Sequence, residues 1–145
     1  MILLFYIPFI VQMLVIGVDE FYFHWRRGLP RWERIGHPLD TLSVVLVLAY
    51  TLVFPFNGTT LIPYIMVATL SALLVTKDEF IHKECCCAKE QWLHALLFIN
   101  HPLVLISTAI LWAKGSLAFL GLQMIASALF CLYQLIYWNL IWKER

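Results

Sequence analysis

Hydrophobic residues along this chain fall into five long runs separated by short polar windows. The runs are Ile2–Val18, Leu39–Phe56, Thr60–Thr76, Trp92–Trp112 and Ser116–Leu140. Each comes close to the roughly 20 apolar residues that a helix needs to cross the hydrocarbon of a bilayer. The breaks carry turn chemistry: Asn57-Gly58 and Lys114-Gly115 are turn signals, and Gly28-Leu29-Pro30 ends the first helix and restarts the chain. Residues 1–18 carry no basic leading segment and no small-x-small cleavage site before Asp19, so the first run reads as a helix rather than a signal peptide. The pattern predicts an all-α integral membrane bundle of about five transmembrane helices.

Composition agrees with that pattern. Of 145 residues, 62% are hydrophobic and 13% charged, which lies outside the usual soluble range. Glycine and proline are sparse, and no stretch reads as a disordered linker, so residues 1–145 form a single membrane domain. The net charge of +1 gives no reason to expect a nucleic-acid partner. The bilayer itself is the expected partner.

Charge also orients the chain. Arg26, Arg27, Arg31 and Arg34 follow the first run, Lys77, Lys83 and Lys89 the third, and Lys143 and Arg145 the fifth, while Lys114 alone falls on the other side. The positive-inside rule then predicts an outside N-terminus and a cytoplasmic C-terminus. Trp25, Trp32, Trp92, Trp138 and Trp142 fall near the same inner boundary.

Two polar windows on that side resemble each other. The first, 19–39, reads DEFYFHWRRGLPRWERIGHPL; the second, 78–103, reads DEFIHKECCCAKEQWLHALLFINHPL. Both open on Asp-Glu-Phe and close on His-Pro-Leu. The copies align either by matching Glu33 and His37 to Glu90 and His94, or by matching His37-Pro38-Leu39 to His101-Pro102-Leu103, and both alignments stay open. Either predicts two similar hairpins, about 1–56 and 60–113, plus an extra helix at about 116–142. Parallel repeats of this kind are related by an axis along the membrane normal.

With the first extended by one residue to Asp40, the windows hold all five histidines and every acid except Glu144. Their spacing suits helix faces. Glu20 and His24, Glu33 and His37, and Glu90 and His94 are each four apart, Glu79 and His82 three apart, and His94 and His101 seven apart. Carboxylates mixed with imidazoles suit iron, manganese or zinc. The expected metal ligands are Glu20, His24, His37, Glu79, His82, Glu90, His94 and His101. Asp19, Glu33, Asp40 and Asp78 are the orienting or alternative groups. The expected cofactor is a pair of metal ions, iron before manganese or zinc.

Di-metal helical bundles take one Glu from each of two helices and a Glu-x-x-His pair from each of two others. With Glu79-x-x-His82 and three further pairs at four-residue spacing, this set resembles membrane-bound di-iron carboxylate proteins such as the alternative oxidases. It departs from them in its wealth of histidine and its short five-span chain. The His-x-x-x-His boxes of membrane fatty-acid desaturases are absent. The resemblance implies a di-iron oxidoreductase acting on a lipid-soluble substrate at the cytoplasmic face, with its redox partner and any homodimer left open.

Three other functions compete: a zinc-dependent lipid hydrolase, a metal or proton transporter, and a non-catalytic membrane accessory subunit. His101 lies nine residues inside its run, roughly 13 Å from Trp92 at the helical rise. A histidine at that depth marks a functional site or bonds to a neighbouring helix through serines. Pro38 and Pro102 each follow a histidine and either kink a helix or begin one. Cys85, Cys86 and Cys87 suit a soft metal or S-acylation, but the acid and histidine pattern does not need them.

Overall fold

The computed structural model describes residues 2–78 and 86–142, with the side chain of Asp78 outside that description. It is helical throughout, with no strand among the described residues. Five helices are long and apolar enough to cross a membrane: α1 (Ile2–Arg27), α2 (Arg31–Val53), α3 (Gly58–Val75), α4 (Ala88–Ala113) and α5 (Leu117–Ile141).

Three of these helices run further than their apolar runs. α1 continues through the polar window to Arg27, α2 begins at Arg31, and α4 begins at Ala88. The acids Asp19, Glu20, Glu33 and Glu90 and the His24 imidazole are buried there, so the helix persists where hydropathy falls. Pro38 consequently sits inside α2, not in its first turn, and Pro102 sits inside α4.

The corners follow from local chemistry. Gly28 adopts φ +74°, closing α1 with its N–H on the His24 carbonyl at 2.7 Å. A Cβ at Gly28 would also run into the Trp142 ring, so glycine is required there twice over. Arg34 clamps the same corner: its Nε donates to the Leu29 carbonyl at 2.7 Å and its guanidinium lies 4.4 Å from the Trp142 ring centroid. Asn57 caps α3, its Oδ1 accepting from the N–H groups of Thr59 and Thr60 at 2.9 and 3.0 Å. Gly115, at φ +72°, turns the chain between α4 and α5.

α2 forms the most extensive pairing, against α5, and α3 also packs on α2. α1 lies along α4. Asn100 on α4 ties that pair, donating at 2.8 Å both to the Pro8 carbonyl and to Gln12 Oε1. Thr41 ties α2 to α5 through Gln134 Oε1 at 2.8 Å.

The two ends of the bundle differ. One end is closed by apolar packing of Phe9, Val47, Leu48, Leu111, Trp112 and Leu120. Tyr64 donates to the Leu105 carbonyl at 2.6 Å and Trp112 to the Phe54 carbonyl at 3.0 Å, which satisfies their polar tips inside that packing. The other end gathers the buried acids and histidines. Outward faces of all five helices expose large apolar side chains, among them Leu14, Leu46, Leu70, Ile99 and Leu129. Apolar surface on that scale suggests a multi-pass membrane protein.

Candidate metal centre

Three helix ends meet at the polar end: the C-terminal end of α1 and the N-terminal ends of α2 and α4. α1 widens there into a π-helical turn at Asp19–His24, with the Trp25 N–H reaching back five residues to the Glu20 carbonyl. A regular α-helix would set Asp19 and His24 about 140° apart. The wider turn draws them toward one side, and Asp19, Glu20 and His24 are all buried. Glu33 and Glu90 lie in the first turns of α2 and α4, where the helix dipole favours a carboxylate.

The side chains converge tightly. His94 Nε2 lies 3.0 Å from Asp19 Oδ1, and His24 Nε2 lies 3.3 Å from Asp19 Oδ2 and 3.8 Å from Glu90 Oε1. One ligand atom from each of Asp19, His24, Glu90 and His94 fits within 4.8 Å of all the others, and all four residues are buried. A second group, His24, Glu33 and His37, meets the same criterion and shares His24. His37 Nε2 is 3.9 Å from Glu33 Oε2, and the rings of His24 and His37 stand 4.8 Å apart. The first group could hold a metal ion, and its two imidazoles and two carboxylates are the donors that iron, manganese and zinc accept.

Glu20 sits behind His24. Its Oε2 lies 3.3 Å from His24 Nδ1. Its Oε1 accepts from Trp138 Nε1 at 2.6 Å and from the Tyr133 hydroxyl at 3.0 Å, and Tyr133 accepts in turn from Trp25 Nε1 at 2.9 Å. With Nδ1–H donated to Glu20, His24 Nε2 is left facing the carboxylates of Asp19 and Glu90. That nitrogen is buried and makes no hydrogen bond among the described residues. Trp138 is placed by a second π-helical turn, Tyr137–Ile141.

Arg27 stands between the two groups. Its Nη2 lies 2.8 Å from both Glu33 Oε2 and Glu90 Oε1, with Nε 3.1 Å from the latter. The guanidinium ties the first turns of α2 and α4 to the end of α1.

The expected ligands are therefore distributed as follows. His24, Glu90 and His94 stand together, joined by Asp19. Glu20 faces the far nitrogen of His24, and His37 stands with Glu33. His101 lies apart from both groups, its Nε2 3.1 Å from the Ser71 hydroxyl, which is 2.7 Å from that of Ser43. Asp40 holds Lys77 through both oxygens, at 2.7 and 2.8 Å. Glu79 and His82 lie outside the described residues, as does the side chain of Asp78. Among the described residues no cysteine joins either group. Burial pushes the half-buried Cys86 thiol above its ordinary range, so it stays protonated at neutral pH.

Three partners of the site were invisible to spacing: Arg27, Tyr133 and Trp138. Arg27 and Trp138 carried only topological meaning in the sequence. A signal was available for α5, whose tyrosine and tryptophan bring two polar tips to the level of the acids.

A cavity of about 400 Å³ rises from the cluster into the bundle. Asp19, Glu20, His24, His37, His94 and His101 line its polar end, while Phe9, Leu48 and Val104 line the other. The chain matches no protein-family model, no curated protein and no solved structure.

Proposed function

We propose that the protein is a membrane-embedded, iron-dependent oxidoreductase that acts on a lipid-soluble substrate held in the cavity above the cluster. The observation that carries this reading is the His24 Nε2 atom, buried 3.3 Å from Asp19 and 3.8 Å from Glu90 without a hydrogen bond among the described residues. That arrangement calls for positive charge between the imidazole and the two carboxylates, either a metal ion on the Nε2 lone pair or a proton on the ring. Charge counting points the same way. Asp19, Glu20, Glu33 and Glu90 are all buried, and the Arg27 guanidinium cancels one negative charge. Buried anions without compensation are costly.

A divalent ion held by Asp19, His24, Glu90 and His94 supplies that charge. We assign one ion per chain. His24 cannot give Nε2 to two ions while Nδ1 faces Glu20, and the Arg27 guanidinium occupies the space between Glu33 and Glu90. Iron with two imidazoles, carboxylates and open positions supplies oxygen-activating redox chemistry when bound. The chain's own residues do the rest. Glu20 fixes the tautomer and orientation of His24. The apolar cavity binds the substrate and excludes water.

Transport is disfavoured by the packed end of the bundle, where Leu48, Leu111, Trp112 and Leu120 leave no polar route among the described residues. The crowding of Arg26, Arg27, Arg31, Arg34, Lys77 and Lys89 at the polar end supports a cytoplasmic cluster. The test is reconstitution. Protein stripped with a chelator and placed in nanodiscs of extracted lipid is reloaded with iron(II), manganese(II) or zinc(II), and oxygen uptake and lipid masses are followed. Iron alone should restore oxygen-dependent oxidation. Turnover with zinc and without oxygen uptake would replace this reading with hydrolysis.

A further inference from the structure

α1 and α5 touch at two levels and part between them. Toward the packed end, Tyr6 and Phe9 meet Phe119, with ring centroids 4.5 and 5.1 Å apart. Toward the cluster, Phe21 meets Tyr133 at 5.8 Å. Between these contacts the cavity is lined by Met13, Ile16 and Gly17 from α1 and by Ala126, Ser127 and Phe130 from α5. Met13 is 66% exposed while also lining the cavity, so the space opens sideways through the lipid-facing surface. Gly17 and Ala126 keep that opening clear, and a Cβ added at Gly17 would meet nothing within 4 Å.

The dimensions suggest an occupant. From Phe9 to Asp19 the α1 wall of the cavity runs about 15 Å at the helical rise. That is about half of the ~30 Å hydrocarbon thickness, the depth that one acyl chain fills. The walls are apolar where a chain would lie, and the polar cluster stands where the chain meets its headgroup. Arg26, Arg31 and Lys89 are exposed at that end and complement a phosphate.

We infer that the substrate is a phospholipid of the surrounding bilayer, one acyl chain of which enters sideways between α1 and α5 and lies along the cavity with its headgroup end at the Asp19–His24–Glu90–His94 cluster. The inference rests on the enzymatic reading for the word substrate, but its binding claim does not depend on the metal.

The experiment uses the full chain in nanodiscs containing a phospholipid with a mid-chain diazirine. Photolysis followed by peptide mass spectrometry should place the adducts on Ile16, Val44 and Phe130 above the level on the outward residues Leu70 and Ile99. Gly17→Phe and Ala126→Phe fill the opening and should cut the cavity adducts at least five-fold while metal content stays at the wild-type value. Adducts spread evenly over the outward faces, or cavity adducts unchanged in both variants, would overturn the inference. So would an isoprenoid diazirine probe that labels the cavity and displaces the phospholipid. If either variant fails to fold, the wild-type adduct map decides alone. Loss of metal in the His94→Ala variant with the cavity adducts retained would separate the two claims.

Discussion

Glu20 engages His24 from the side away from the cluster: its Oε2 lies 3.3 Å from His24 Nδ1, and this turns Nε2 toward Asp19 and Glu90. A carboxylate behind a ligating imidazole raises its basicity and fixes its ring. Glu20→Gln keeps the acceptor that Trp138 and Tyr133 use but weakens the hold on Nδ1. Metal affinity should fall roughly 10–100-fold, the usual loss for such partners. Competition against a chelator of known affinity measures it, and helicity by circular dichroism should not change.

Trp138 donates to the buried Glu20 carboxylate at 2.6 Å. A hydrogen bond to a charged group is worth about 1.5–3 kcal/mol. Trp138→Phe keeps most of the ring packing and removes the donor, so stability should drop by about that amount. Thermal unfolding in detergent should show it as a lowered midpoint.

Arg27 bonds Glu33 and Glu90 at once, each at 2.8 Å. Arg27→Met leaves both carboxylates buried without their cation, a loss on the order of 3 kcal/mol. Lysine should rescue little of it, because its ammonium cannot reproduce the planar fork. Added divalent metal should raise the unfolding midpoint of the methionine variant more than that of the wild type.

His101 bonds to Ser71 and not to the carboxylates. His101→Ala should leave metal content unchanged and cost about 1 kcal/mol of stability, as for a lost interhelical hydrogen bond. Elemental analysis and unfolding on the same preparation separate the two effects.

The helices were legible in the sequence because long apolar runs mark their outward-facing residues directly. Their extent was less so. Asp19–Arg27, Arg31–Pro38 and the start of α4 read as polar boundary, yet they stay helical because their acids and histidines turn inward against one another. The pairing of His24 with Glu20, and of His37 with Glu33, was visible as four-residue spacing. The place of Asp19 was not, since five-residue spacing lies on one side only in the π-helical turn. Nor were Arg27, Tyr133 and Trp138, whose roles arise from contacts between helices far apart in sequence. His101 showed its burial in the sequence, but its serine partner on α3 became plain only in the fold.

The measurement that tests the account most directly is metal per chain. Protein purified without added metal and without chelator should carry about one iron ion by plasma mass spectrometry. His24→Ala and His94→Ala should each fall below a tenth of that while remaining helical. Wild-type protein free of iron, and still free of it after incubation with iron(II), would contradict the account and leave the acids and histidines as an ion-paired structural cluster.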